Sequence, residues 1–184
     1  MIICNGIEKS GLHALSKSVQ LLGIPSNSFA PDAPNSVAFD HIPYGTLDPK
    51  YTKHIYIRRH PRNMLISWVR FIALPVTTGT LIGAMQGFVE GSFHDYCSKF
   101  IPWLNEPGVL QVRFEDLFTD GGVTMQKIAD YLGVPLDPDA YPNIPGFTQT
   151  WTGKLSDWTT VWNAELETAL TQYRCNEIQT AFGY

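Results

Sequence analysis

Charge is scarce in this sequence, and long apolar runs are missing from it. Only 16% of its 184 residues are charged, 13 Lys and Arg against 17 Asp and Glu. The resulting net charge of −4 excludes a general binder of nucleic acid or of an anionic membrane surface, because that affinity comes from a surplus of Lys and Arg. Any anion must therefore be held locally. No stretch stays apolar for the roughly 20 residues that a spanning helix needs, and the apolar run in Met1-Ile2-Ile3-Cys4-Asn5-Gly6 is too short for a signal peptide. Cysteine is also sparse. Cys4, Cys97 and Cys175 lie far apart, form no Cys-x-x-Cys or Cys/His ligand spacing and leave an odd one, which excludes a disulfide scaffold and favours a reducing compartment. What is abundant is core material, 44% hydrophobic and 12% aromatic, so neither a disordered tail nor a coiled coil fits. The expectation is one cytoplasmic domain over residues 1–184, with no nucleic-acid or membrane partner.

Short apolar runs alternate with amphipathic ones. Ile2-Ile3-Cys4 reads as a strand, and Leu12, Leu15, Val19 and Leu22 then recur at helical spacing until Gly23 and Pro25. Val37-Ala38-Phe39 and His54-Ile55-Tyr56-Ile57 are further strands, the second feeding a helix from about Pro61. Val109 to Phe114 is another strand, followed by Met125, Ile128, Ala129 and Leu132 at helical spacing and a Gly133, Pro135 stop. The run from Ala164 to about Ala181 is expected to be helical, and surface loops are expected over Pro25–Ser36 and Pro135–Gly146. The order predicts an α/β fold: a mainly parallel sheet covered on both faces, with ligands beyond the carboxyl ends of the strands.

Two segments carry anion-binding chemistry. Gly6-Ile7-Glu8-Lys9-Ser10-Gly11 joins the first strand to the first helix; two glycines, a helix N-terminus and a lysine are the parts of a phosphate cradle. Leu12 and His13 stand where a nucleotide triphosphatase needs Lys and then Ser or Thr, so that class is disfavoured. A glycine-rich turn with a solvated lysine is the plain alternative. The second segment runs from Lys50 to Arg70 with no Asp or Glu between them. Arg59 falls at a strand end, and Asn63, Ser67 and Arg70 form a narrow polar stripe on a helix otherwise made of Met64, Leu65, Trp68, Phe71 and Ile72. That spacing predicts a largely buried helix with Arg59 and Ser67 able to hold one phosphate.

These residues resemble the sulfotransferases that use 3′-phosphoadenosine 5′-phosphosulfate (PAPS). Glu8-Lys9-Ser10-Gly11-Leu12-His13 is similar to the family's Pro-Lys-Ser-Gly-Thr-Thr, Phe39-Asp40-His41-Ile42-Pro43 to its Lys-Thr-His-Leu-Pro, and Phe114-Glu115-Asp116-Leu117 to its Tyr-Glu-Asp-Leu. Arg59-His60-Pro61-Arg62 with Ser67 resembles the second signature, and Gly153-Lys154-Leu155-Ser156-Asp157-Trp158 the terminal one. The resemblance implies a three-layer α/β/α, P-loop-like sulfotransferase fold. It implies that Lys9, Ser10, Gly11, Leu12 and His13 hold the 5′-phosphosulfate of PAPS, and that Arg59 and Ser67 hold its 3′-phosphate. Three departures accompany it: Leu12 and His13 replace paired threonines, Ala14 replaces a stacking tryptophan, and Trp151-Thr152 replaces Arg-Lys. Trp151 or Phe114 is then expected against adenine, with Gly153 and Lys154 near the 3′-phosphate.

The implied reaction moves a sulfuryl group from PAPS to a hydroxyl or amine of a small acceptor, with Lys9 stabilising the leaving oxygen and His41 as base. Asp40 and Glu8 are substitute bases. His54, His60 and His94 are expected to be structural. The family needs no metal, and the sequence carries no ligand cluster. A nucleotide kinase and a non-catalytic nucleotide-binding module stay open as alternatives. The segment Leu74–Phe88 reads equally as a lid or a core helix.

Overall fold

Every residue of Ile2–Gly6 is buried, the pattern of a strand covered on both faces, and this run forms β1 at the middle of the sheet. The computed structural model describes residues 1–26, 35–136, 155 and 157–184. Among them β2 (Val37–Asp40), β3 (Lys53–Arg58) and β4 (Val109–Arg113) complete a sheet of order β2-β1-β3-β4. All neighbours are parallel, with Ile2 opposite Val37 and Lys53, and His54 opposite Val109. The sequence-based strands are found in place, each within two residues at its ends.

The helices divide between the two faces. On one face α1 (Leu12–Leu21) and α6 (Gly121–Leu132) pack Leu12, Leu15, Val19, Met125 and Ile128 against Cys4, Ile55, Ile57 and Val112. On the other, α2 (Pro61–Phe71), α3 (Thr78–Gln86), α4 (Phe93–Ser98), α7 (Ala164–Gln172) and α8 (Cys175–Ala181) surround Tyr56 with Met64, Leu65, Met85, Phe88, Phe93, Leu170 and Phe182. A short α5 (Asp116–Thr119) follows β4. Because β1 leads to α1 on one face and its neighbour β3 leads to α2 on the other, a crevice opens between their carboxyl ends. The loop Ile7–Gly11 and the corner at Arg59 both border it.

Two expectations hold and gain detail. The C-terminal run is two helices, because Arg174 adopts φ +58 between them and turns α8 so that Cys175, Ile178 and Phe182 enter the core. Arg174 then grips Glu177 through Nε and Nη2 at 2.8 and 2.9 Å. In α2 the apolar stripe does not stay buried to its end: Phe71 and Ile72 are 48% and 42% exposed. Within the Leu74–Phe88 segment the part from Thr78 to Gln86 is a core helix, capped by the Thr77 and Thr80 box with Leu81, Ala84, Met85 and Phe88 buried, while Leu74 is exposed. The Pro25–Ser36 and Pro135–Gly146 loops lie mostly outside the described residues, as do Trp151, Gly153 and Lys154.

Two packing details make predictions. Gly11 has φ +100, and a Cβ there would drive into the Phe114 ring. Gly11→Ala should therefore lower stability by about 1–3 kcal/mol from overpacking alone, whereas Gly122→Ala, in α6 with nothing within 4 Å of the added carbon, should leave the melting temperature unchanged or higher. His54 is 5% exposed, packs edge-on against Trp103 at 4.4 Å, and has no hydrogen-bond partner for either ring nitrogen among the described residues. Burial pushes its pKa down to about 4, against a smaller upward pull from Glu106. The unfolded chain then binds the extra proton first, so stability should be complete above the unfolded value of about 6.5 and lost as pH falls through it toward about 4. Denaturant titrations of the parent and His54→Phe should differ in that window by a slope of up to about 1.4 kcal/mol per pH unit; identical slopes would contradict this.

Candidate active site at the β1–β3 crevice

The loop after β1 is built around two left-handed residues, Lys9 at φ +66 and Gly11 at φ +100. For a lysine this conformation is strained, and it is held by its surroundings. Ser10 N–H closes the turn onto Ile7 O at 3.0 Å, and Gly6 is closed in as well, since a Cβ would meet Ser10 Oγ at 2.6 Å and Ile57 O at 2.8 Å. Left-handed residues on both sides of Ser10 curl the loop into the shape in which backbone N–H groups converge on an anion. The unbonded N–H groups of the first α1 turn begin at the same place. Ser10 itself is fully buried, and its Oγ has no partner among the described residues.

Arg59 follows β3 and is 7% exposed. Its Nη1 donates to Lys9 O at 3.1 Å, and its guanidinium lies 4.2 Å over the Phe114 ring. The same ring fills the space that Gly11 leaves by lacking a Cβ. One aromatic side chain thus backs both the loop and the arginine. Burial pushes the Arg59 pKa down to about 10, with Glu115 and Tyr184 pulling it up and Arg70 pushing it down. Lys9 is also lowered, first by burial and then by the charge of Arg59, with Glu8 acting the other way. Lys9 and Arg59 are therefore two cations that act on each other, with Glu8 and Glu115 as the opposing charges.

The corner carrying Arg59 is braced from behind. Glu115 accepts from His60 N–H at 3.0 Å and from the Tyr184 hydroxyl. His60 caps α2 by accepting from Arg62 N–H, and its ring lies against Trp158 and Tyr184. Arg62 bonds both oxygens of Glu167 at 2.9 and 2.8 Å and stacks on Trp158 at 4.1 Å. Ser67, buried, sits in the second turn of α2, about 9 Å along the axis from the helix start. Arg70, from the same stripe, is exposed.

His41 follows β2 and leans onto the loop from the other side. Its Nδ1 lies 2.6 Å from Gly6 O; a carbonyl only accepts, so Nδ1 carries the hydrogen and Nε2 keeps its lone pair when the ring is neutral. Asp40 Oδ1 accepts the His41 backbone N–H at 2.7 Å. Glu8, the other substitute base, accepts from the Tyr96 hydroxyl at 2.7 Å through Oε1. His13, in the first turn of α1, meets Phe39 edge-on at 4.9 Å. Its pKa is lowered by burial, then by Lys9 and His41, so the three groups share one electrostatic neighbourhood.

Phe71 was not a candidate from the sequence. The Lys9 ammonium rests 3.6 Å over its ring, and the ring is exposed, as are Ile72 and Leu74 just after it in the chain. Helical periodicity assigned Phe71 to the core, and no sequence signal separates it from Met64 or Leu65. Among the described residues, no group of three or more His, Cys, Asp and Glu is placed to hold a metal ion, and no helix is long and apolar enough to cross a membrane.

Comparison with known proteins agrees with this arrangement. A sulfotransferase domain model matches residues 4–146. Human Sulfotransferase 2A1 is 34% identical over 95 residues, 47% of this chain and 33% of that protein. Rat Sulfotransferase 2A6 is 30% identical over 95 residues, 47% of this chain and 34% of that protein. The matched segment thus spans about a third of these relatives' length. Among solved structures, mouse sulfotransferase SULT7A1 complexed with PAP superposes with a TM-score of 0.74 at 18% identity, covering 97% of this chain and 83% of that one. Retinol dehydratase in complex with androsterone and inactive cofactor PAP gives 0.68 at 13% identity, covering 97% and 80%. Those two likenesses concern the fold, the expected parallel sheet with helices on both faces. With the domain model matched over more than half of its length, by residues that border the crevice, the chain belongs to the sulfotransferase domain family.

Proposed function

We propose that residues 1–184 form one PAPS-dependent sulfotransferase domain that transfers a sulfuryl group to a hydroxyl or amine of a small acceptor. The observation that carries this reading is the buried Arg59 guanidinium bonded to Lys9 O and backed by Phe114. It sets two cationic positions side by side, as a nucleotide phosphorylated at both 3′ and 5′ requires. The orphaned Ser10 hydroxyl in the curled loop fits a 5′-phosphosulfate oxygen, with Lys9, Gly11, Leu12 and His13 around it. Arg59 and Ser67 are assigned to the 3′-phosphate. Trp151, Gly153 and Lys154 remain assigned to the adenine and 3′-phosphate side. Phe114 is assigned to supporting Arg59, since it is 3% exposed. The free buried thiols of Cys4, Cys97 and Cys175 support a cytoplasmic setting.

When bound, the donor supplies the sulfuryl group. The Lys9 ammonium faces the negative charge that grows on the leaving phosphate oxygen as the sulfur–oxygen bond breaks. His41 Nε2 takes the proton of the acceptor as its oxygen or nitrogen bonds to sulfur. The exposed Phe71 ring under the Lys9 ammonium supports an acceptor with an apolar body.

Turnover of PAPS with a panel of phenolic and alkyl alcohols, and separately of ATP with Mg²⁺, tests the reading against a kinase and a non-catalytic binding module. Sulfated product should form from PAPS alone. His41→Ala should lose about 10²–10⁴-fold in rate with PAPS affinity retained, and Lys9→Ala should lose both rate and affinity. A His41→Ala rate within a few-fold of the parent would remove the base assignment, and binding of PAPS without product would leave a binding module.

A further inference from the structure

Asn5 is fully buried at the end of β1, where the β1–β2 ladder stops at its pairing with Asp40. Its carboxamide continues the connection beyond that point. Oδ1 accepts from Gly6 N–H at 2.8 Å and from Ile42 N–H at 2.9 Å. Nδ2 donates to Ile42 O at 3.0 Å, and that carbonyl takes a second hydrogen, from Trp103 Nε1, at 2.9 Å. The amide orientation is unambiguous, because reversing it would set N–H against N–H at two positions and oxygen against oxygen at the third.

The residues tied by this carboxamide are the ones that fix His41. Gly6 is held at its N–H by Asn5 and at its carbonyl by His41 Nδ1; Ile42, next to His41, is held at both its N–H and its carbonyl by Asn5. The imidazole therefore stands on a frame whose two sides, the start of the phosphate loop and the strand-end peptide, are joined by one side chain. Gly6 O selects the hydrogen on Nδ1, which leaves Nε2 as the acceptor. We infer that Asn5 is a positioning residue of the transfer reaction: its carboxamide sets the distance between His41 and the Lys9 loop and keeps His41 in the Nδ1–H form with Nε2 facing the acceptor. This rests on the reading of His41 as the base. Placement of a reacting group within about 0.5 Å is what such supporting bonds secure, and a shift of about 1 Å costs on the order of 10²-fold in rate.

The test combines a double-mutant cycle with a spectroscopic readout. Asn5→Ala should lower kcat by about 10–100-fold with PAPS affinity within about threefold of the parent, and in a His41→Ala background it should cost almost nothing more, because the group it positions is gone. Nitrogen-15 spectra of the imidazole should show His41 as Nδ1–H in the parent and as a mixture of both neutral forms in Asn5→Ala. Multiplying losses in the double variant, an unchanged kcat in Asn5→Ala, or His41 as Nε2–H in the parent would each overturn the inference. If Asn5→Ala does not fold, Asn5→Asp replaces it in the cycle: it keeps the two accepted bonds but sets a carboxylate oxygen against Ile42 O, and should show a loss of kcat with the same absence of additivity. Failure of the base reading is seen separately, as a His41→Ala variant that keeps its rate; the nitrogen-15 comparison then still decides whether Asn5 holds the ring.

Discussion

A guanidinium taken out of water costs several kcal/mol unless it is compensated, and the compensation of Arg59 organises this site. Lys9 O accepts its hydrogen bond, the Phe114 ring faces it, and the negative charge of Glu115 attracts it. Each of those partners has a second duty. Lys9 belongs to the strained loop, Phe114 occupies the space that Gly11 leaves open, and Glu115 holds the His60 N–H at the start of α2. The loop after β1 and the corner after β3 are therefore coupled through one buried charge. In a chain of net charge −4, Lys9 and Arg59 are thus brought together at one place, where partial burial strengthens the effect of each on its neighbours.

The C-terminal helices serve the same end from a distance. Arg62 joined to Glu167, Trp158 between His60 and Arg62, and Tyr184 against Glu115 all meet at the first turn of α2. That turn fixes where Arg59 leaves β3 and where Ser67 lies. On the β2 side, the hydrogen-bonded carboxamide of Asn5 gives His41 its seat. The sheet supplies the crevice through its strand order, and the polar groups at its carboxyl edge set the distances across it.

Alternation of short apolar runs with helical stripes made the strands, α1, α2 and α6 legible, because each is an element whose period is set by burial on a known face. The break between α7 and α8 was not legible: Arg174 carries neither the glycine nor the proline that marks a helix end, and only packing of Cys175, Ile178 and Phe182 explains the turn. Phe71 misled for the opposite reason, since periodicity gives a direction and not the point where the covering layer ends. Within the site, Lys9, Ser10, Gly11 and Arg59 stood out through local chemistry and order along the chain, and His41 only through the resemblance to the family. Asn5 did not, since a polar residue at a strand end looks the same whether it is solvated or, as here, bonds its own neighbour Gly6 and the distant peptide of Ile42. Phe114 was visible as an aromatic near the nucleotide, but its contact with Gly11 and Arg59 is a tertiary fact.

The central claim is that the buried Arg59 reads a phosphate on the 3′ side of the nucleotide. Its most direct test is a calorimetric comparison of 3′-phosphoadenosine 5′-phosphate with adenosine 5′-phosphate, for the parent, Arg59→Ala and Arg70→Ala. The parent and Arg70→Ala should prefer the bisphosphate by roughly 2–5 kcal/mol, about 30-fold or more, and Arg59→Ala should bind the two nucleotides almost equally. A parent that does not distinguish them, or an Arg59→Ala variant that keeps the full preference, would contradict the account.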